Sequence, residues 1–316
     1  WKIFRIVLKE RPNIIHTHTA KAGTLGRMSA ILFNLTHKKK IKIVHTFHGH
    51  VLSGYFNKSF SRLFLIIERV LSKFTDVIIA VSETVRKDIL FLGIGSEEKI
   101  KIVHLGFELD KFLGIQLRPV HQLNIGIIGR LVPIKNHKMF LDAAKLLLTE
   151  PRTPALPAGR PNPEPRFFII GDGELRADLE GYVQELGIAE KVKFLGWQMD
   201  LVKAYENLDI VALTSINEGT PVSLIEALAA GRAVIAADVG GVRDIIGTKI
   251  YPDISQRGIL VKSGDLDGFV SGLKLLVNDS GLREKLGIYG REFVRELFNS
   301  KRLIKDMEMV YNNLLA

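Results

Sequence analysis

Ile210-Val211-Ala212-Leu213, then Asn217-Glu218-Gly219-Thr220-Pro221-Val222-Ser223-Leu224-Ile225-Glu226-Ala227-Leu228-Ala229, then Ala233-Val234-Ile235-Ala236 follow one another with short connections. The outer runs are apolar on every residue, as in strands buried on both faces, and the segment between them reads as a helix. Thr220 suits the N-cap, Pro221 the first helical position, and Gly231 stops the helix. A helix that opens at the carboxyl end of a parallel strand offers free N–H groups and a positive dipole end, which suit a phosphate. Gly219 lets a ligand approach the backbone. Glu218 lies just before the helix and Glu226 within its first two turns. Both carboxylates can reach one ligand as acceptors for the vicinal hydroxyls of a sugar or ribose.

The same alternation extends outward in both directions. Ile14-Ile15, residues 41–44, 77–81, 100–103, 125–128, 167–170 and 192–194 read as further strands, with helical spacing at 58–73, 136–148 and 174–186. Regular alternation of this kind predicts an α/β protein with parallel sheets covered by helices. A polar break near Gln116–His121, containing Pro119, divides the chain into domains at 1–120 and 121–290. A total of 316 residues suits two domains of about 100–150 residues each. Thr149 to Pro165 holds six of the eleven prolines and reads as a surface insertion.

A second set of strand ends adds chemistry. After strand 125–128 come Gly129-Arg130-Leu131 and then Lys135-Asn136, two cations beside a glycine that form a diphosphate clamp. Gly171-Asp172-Gly173 follows strand 167–170, and Gly196-Trp197 follows strand 192–195. Four strand ends of one domain thus carry loops that admit a ligand.

These residues resemble the retaining GT-B glycosyltransferases of family 4, the glycogen-synthase-like group. The resemblance is carried by Gly129-Arg130-Leu131 with Lys135-Asn136, by Gly171-Asp172-Gly173, by Glu218 and Glu226 within NEGTPVSLIEALA, and by AADVGGVRDII at 236–246. It implies two Rossmann-like domains facing across a cleft, with a last helix over 291–316 crossing back to the first. It implies a nucleoside-diphosphate sugar as donor, UDP by default, with no metal and no other cofactor. Arg130 and Lys135 would hold the diphosphate, Glu226 the ribose, and Glu218 the hydroxyls of the transferred sugar. The backbone from Gly219 through Thr220, Pro221 and Val222 to Leu224 would hold phosphate and sugar, with Gly173 and Trp197 at the neighbouring loops. The family's first domain opens with further strands and a glycine-rich loop before the point where this sequence starts.

The N-terminal half has its own signature. Residues 1–120 hold 20 Lys/Arg against 9 Asp/Glu, a net of +11 of the total +10. Such a surface should meet something anionic. Two strand ends are rich in histidine: His16 and His18, then His45, His48 and His50. By the resemblance, His48 would hydrogen-bond a hydroxyl of the donor sugar. A metal site is the rival reading, but no Asp or Glu occurs from 11 to 67 to complete it. Lys21 to Arg27 is a small-residue helix start whose two cations could meet an acceptor phosphate or simply pack closely. Residues 54–74 form an aromatic, basic amphipathic helix with Phe60, Phe64, Ile67 and Leu71 on one face, a candidate for an anionic membrane surface.

Composition bounds the remaining classes. There is no cysteine, hydrophobic residues make 47% and charged ones 25%, and no apolar run reaches the roughly 18–20 residues that span a bilayer. The reading is a cytoplasmic enzyme, peripheral on the inner face of the membrane, that moves sugar to a lipid-linked or cell-envelope saccharide. Its rivals are a nucleotide-sugar epimerase or hydrolase of related fold, and a non-catalytic nucleotide-sugar-binding remnant. Nucleic acid is disfavoured, since no basic-aromatic stacking platform is visible.

Overall fold

Buried apolar strands joined through amphipathic helices favour parallel pairing, and every pair of neighbouring strands among the described residues is parallel. The computed structural model describes residues 1–49, 58–116, 122–149, 164–249 and 254–316. His50, the break at 117–121, the start of the 54–74 helix and most of the proline-rich insertion lie outside the described residues.

Two compact units are present: Trp1–Phe107 with Asn299–Ala316, and Glu108–Phe298. The first contains α1 (Lys2–Glu10), β1 (Ile14–His18), α2 (Ala20–Thr36), β2 (Lys42–Phe47), α3 (Lys58–Lys73), β3 (Val77–Ala80), α4 (Glu83–Phe91) and β4 (Ile100–Ile102). The second contains α5 (Asp110–Leu113), β5 (Asn124–Ile128), α6 (His137–Thr149), β6 (Arg166–Ile170), α7 (Arg176–Glu185), β7 (Val192–Gly196) and α8 (Leu201–Asn207). It continues with β8 (Ile210–Leu213), α9 (Val222–Ala229), β9 (Ala233–Asp238), α10 (Val242–Ile246), β10 (Ile259–Lys262), α11 (Leu266–Asn278) and α12 (Ser280–Leu297). The chain ends with α13 (Ser300–Leu315) in the first unit.

Two details differ from the sequence reading. The division falls at Glu108 rather than near residue 120, because α5 packs on α8 and α9, with the Phe112 ring edge-on to Tyr205 at 5.4 Å. The terminal helix is two helices. It breaks at Phe298, and the Asn299 side chain caps α13 by accepting from Lys301 N at 2.8 Å. Leu303, Met307, Val310 and Leu314 of α13 then pack on Val44, Ile79 and Val103 of the first unit.

The four-stranded sheet runs β1-β2-β3-β4. Each crossover therefore moves one strand in the same direction, and right-handed connections set α2 and α3 side by side on one face. Their inward sides are unusual. Gly23, Gly26, Ser29 and Ala30 of α2 are buried, and a Cβ on Gly23 would come 2.4 Å from His45 Cε1. Arg27 is fully buried with Glu68 of α3, and Arg27 Nη2 lies 2.7 Å from both carboxylate oxygens. Arg27 is thus spent inside the unit and is not offered to an acceptor phosphate.

The six-stranded sheet runs β10-β9-β8-β5-β6-β7 around one large core. β10 was not anticipated: Ile259-Leu260-Val261-Lys262 is short and follows a polar stretch that hides it.

A buried ion pair is costly to break and cheap to replace as a whole. Glu68→Leu alone should lower the unfolding free energy by about 3–5 kcal/mol, because Arg27 keeps its charge without a partner. The double variant Arg27→Met/Glu68→Leu should recover most of that loss, and urea unfolding curves of the three proteins check it.

Candidate functional site

In the six-stranded sheet the chain winds outward through β6 and β7 on one side of β5, and through β9 and β10 on the far side of β8. β5 and β8 are adjacent, with Ile125 opposite Ile210, yet they are far apart in sequence. Their connections leave in opposite directions, so a crevice opens at their carboxyl ends, where ligands of such sheets bind. The loop that leaves β5 carries Arg130 and Lys135, and the loop that leaves β8 carries Glu218.

Backbone and hydroxyl bonds lace these two loops together. Ile216 N donates to Ile134 O at 2.9 Å, and Thr214 Oγ1 donates to Asn136 O at 2.9 Å and to Lys135 O at 3.1 Å. Lys135 Nζ lies 2.5 Å from Glu218 Oε1, which also accepts from Ser215 Oγ at 2.7 Å. Glu218 is therefore held through one carboxylate oxygen by both Lys135 and Ser215. The Arg130 guanidinium is exposed and has no ion-pair partner among the described residues. One cation is fixed by a carboxylate and the other is unspent.

Glycines set how closely the loops stack. A Cβ on Gly240, at φ 49°, would fall 1.7 Å from Glu218 O, and Gly241 N donates to Gly219 O at 3.0 Å. The Val239-Gly240-Gly241 turn after β9 is thus a backstop that presses the Glu218-Gly219 loop into place. On the other side, Gly171 N donates to Gly196 O and Gly129 N to Ile170 O, both at 2.9 Å. A Cβ on Gly171 would lie 1.9 Å from Gly129 O, and Gly173 rests on the Leu131 backbone. The glycines of this turn answer first to loop-on-loop packing.

α9 begins at Val222, with Pro221 at the N-cap and no side-chain cap bond. Thr220 therefore does not cap the helix, because the backbone enters one residue later than its spacing suggested, and Pro221 O receives the first amides instead. Leu224 N already donates to Pro221 O at 3.2 Å, and the Leu224 side chain is fully buried. Gly219 and Thr220 are half-buried, and Val222 is 40% exposed at the helix opening. Trp197 stands 72% exposed at the carboxyl end of the sheet-edge strand β7, and its ring has no aromatic or cationic partner among the described residues.

Glu226 is built differently from Glu218. Its Oε2 lies 3.0 Å from the hydroxyl of Tyr205, a fully buried side chain whose oxygen is equally close to Ser223 O. Burial pushes the Glu226 carboxyl above its ordinary value, while the Tyr205 hydroxyl and the charge of Lys111 pull it back. Burial and the neighbouring carboxylate hold Tyr205 well above the usual phenol range, so it stays a neutral donor. Tyr205, Ser215 and Lys111 were not singled out from sequence. Ser215 lies two residues after the buried strand β8, which is a usable signal, but nothing in the spacing points to the other two.

The histidines of the first unit are ordered by strand alternation. His16 and His18 share one face of β1, and Thr17 points to the other. In register with β2, His16 Nε2 lies 2.7 Å from Thr46 Oγ1, and Thr17 Oγ1 lies 2.8 Å from His45 Nδ1. His18 Nδ1 lies 2.8 Å from His48 Nε2, and His16 Nδ1 lies 2.7 Å from the Tyr311 hydroxyl of α13. The result is a chain, His48–His18 stacked on His16–Tyr311, with the His16 and His18 rings 4.3 Å apart. Both His16 nitrogens are engaged, by Tyr311 and Thr46, while His18 and His48 each use one nitrogen on the other. No group of three ligating residues that could hold a metal occurs among the described residues.

Burial lowers all four rings: His16 to about 4, with His18 and His48 adding to the effect, His45 to about 2, with Arg27 and the other three rings adding, and His18 and His48 by direction. The unfolded chain therefore binds protons first as pH falls below 6.5, the ordinary histidine value, whereas folded His16 resists until about 4. Stability is complete above that window and declines through it on acidification. His16→Gln should give a flatter melting-temperature profile across the same window, measured by calorimetry at matched ionic strength.

Comparison with known proteins agrees with this geometry. Residues 112–293, more than half of the chain, match the family described as glycosyl transferases group 1, and residues 1–111 match glycosyltransferase family 4. UDP-Gal:alpha-D-GlcNAc-diphosphoundecaprenol alpha-1,3-galactosyltransferase of Escherichia coli is 25% identical over 98% of this chain and 76% of its own length. The capsular polysaccharide biosynthesis glycosyltransferase CapM of Staphylococcus aureus is 25% identical over 99% of this chain and 80% of its own. The crystal structure of Anabaena HepE in complex with UDP superposes with a TM-score of 0.80 at 18% identity, covering 99% of this chain and 81% of that one. The chain belongs to the glycosyl transferases group 1 family and is a retaining glycosyltransferase with the GT-B fold.

Proposed function

We propose that this enzyme takes its sugar from a UDP-sugar and passes it to a lipid-linked or cell-envelope saccharide, working at the cytoplasmic face of the membrane. Supporting the donor, HepE was crystallised with UDP and the Escherichia coli relative is named for UDP-Gal. Supporting the acceptor, that relative is named for a diphosphoundecaprenol-linked saccharide and CapM for capsular polysaccharide. No described helix is long and apolar enough to cross a membrane.

The observation that carries the reading is the Lys135–Glu218 pair at the β5/β8 switch point, with an unspent Arg130 on the same loop as Lys135. In this proposal the donor-binding part is the second unit and the acceptor-side part the first. Arg130 and Lys135 face the diphosphate, and the opening of α9 at Gly219 to Val222 receives phosphate and sugar. Glu226, its second oxygen free of Tyr205, accepts from the ribose hydroxyls, and Glu218 from those of the sugar. Trp197 and Gly173 border the site from the neighbouring strand ends, and His48 hydrogen-bonds a sugar hydroxyl in its neutral form. Retention follows a front-face route. The anomeric carbon–oxygen bond to the diphosphate breaks, the acceptor oxygen bonds from the same side, and its proton passes to the departing phosphate. The charge that grows on that phosphate is where fixed cations lower the barrier.

The test is calorimetric titration of the chain with UDP, GDP and ADP and their glucose derivatives. UDP should bind in the micromolar range, about −8 kcal/mol, and Glu226→Ala and Arg130→Ala should each weaken it by about 1–3 kcal/mol. Preference for another base would reassign the donor. Turnover that releases free sugar or an epimer equally well without acceptor would make the protein a hydrolase or epimerase. Absence of binding by a folded sample would sink the donor site.

A further inference from the structure

The helices α2 and α3 bury small and charged residues beside Phe33 and Leu71, and leave a row of large apolar residues outside. Their buried sides carry Gly23, Gly26, Ser29 and the Arg27–Glu68 ion pair, while large apolar side chains face solvent. On α2, Met28 (56%), Leu32 (44%) and Leu35 (75%) are exposed, as are Ile66 (57%) and Val70 (49%) on α3 and Phe74 (53%) in the turn just after it. The spacings i, i+4, i+7 and i, i+4, i+8 make each set a continuous stripe. The face expected from sequence to meet a membrane is the more covered one: Leu71 is buried and Phe64 and Ile67 are half-buried, while the side chain of Phe60 lies outside the described residues. The exposed stripe is a second apolar row on the same helix. Since α2 and α3 lie side by side, the two stripes form one patch, larger than the scattered apolar residues normal for a soluble surface.

The charges around the patch select its occupant. Arg62, Arg69 and Lys73 flank the stripe on α3, and Lys38, Lys39 and Lys40 follow directly on α2, all exposed. The two helices carry a single carboxylate, Glu68, and it is buried against Arg27. A second copy of this chain, docked symmetrically on the same patch, would set these cations against their own kind. An anionic lipid surface offers the opposite charge together with an apolar layer at the depth of the leucines.

We propose that α2 and α3 form the surface by which this glycosyltransferase sits on an anionic bilayer, with the two apolar stripes inserted at the headgroup boundary and the lysines and arginines on the lipid phosphates. Its purpose rests on reading the acceptor as lipid-linked, but its existence does not depend on the donor site. The buried ion pair belongs to the same device. Satisfying α2 against α3 with a salt bridge and small residues frees the large apolar side chains for the outside.

The test is flotation of the full chain with vesicles of phosphatidylcholine alone or with about a third phosphatidylglycerol. The protein should float with the anionic vesicles, release as salt rises, and stay behind with the neutral ones. Met28→Ser/Ile66→Ser should weaken vesicle binding about tenfold while leaving UDP affinity and the melting transition unchanged. Folded protein that ignores anionic vesicles, or a variant that floats as well as its parent, would overturn the proposal. So would self-association in the ultracentrifuge that this double variant abolishes, since the patch would then be a contact between copies. Loss of UDP binding with vesicle binding intact would count against the donor site and leave the surface standing.

Discussion

The second unit is organised by one topological fact, that strands β5 and β8 are neighbours although three helices and two strands separate them in the chain. Helices that leave in opposite directions cannot cover the gap between their own starting points. Two loops are thereby brought together that no local interaction would join. Thr214 and Ile216 bond to the backbone of residues 134–136, and the Lys135–Glu218 pair spans the seam. The pair is half-buried, so its attraction is less screened than that of a surface ion pair, and Ser215 fixes the carboxylate further. In the proposed donor site, a carboxylate and a cation are thus oriented before any substrate arrives, which is the condition for electrostatic catalysis without reorganisation.

Most of this was legible in the sequence, for a reason that can be stated element by element. Buried parallel strands such as Ile210–Leu213 and Phe167–Ile170 are written as unbroken apolar runs, and their helices as amphipathic repeats. The loop residues Arg130, Lys135 and Glu218 stand out because charge beside a buried strand end has few structural excuses, and Glu226 because it falls within the helix that opens there. What escaped depends on distant partners. Tyr205 matters only because α8 lies beneath Glu226, and Lys111 only because α5 packs against α9. Thr220 has the right chemistry for a cap, but the turn behind it is set by Gly240 and Gly241, so the helix opens one residue later. The 291–316 segment reads as one helix because nothing local shows that Asn299 begins a new docking surface.

The helix α3 shows the limit of pattern reading most clearly. Two apolar rows run along it, and sequence cannot say which one faces the sheet. The choice is made by Glu68, which must be buried because Arg27 is, and which draws Leu71 and Ser72 inward with it. A polar residue thus decides the orientation of an apolar helix, a use of a buried ion pair for specificity rather than for net stability.

The division of charge follows from the same logic. The basic excess of the chain falls within residues 1–120, and there the cations of α3 and of the 38–40 segment are exposed with few carboxylates near them. In the second unit, charges are almost balanced and many are paired, as in Lys135 with Glu218, Arg176 with Asp172 and Arg243 with Asp238. Unpaired charge acts at long range, where it attracts an oppositely charged surface and is weakened by salt. Paired and half-buried charge acts within a few ångströms, where it holds geometry. The four histidines extend this separation: burial keeps them neutral, so they add hydrogen bonds to the first unit without adding to its field at neutral pH. In the two proposals made above, attraction to a surface and orientation of a substrate fall to different sets of residues, so substitutions in one set should leave the other undisturbed.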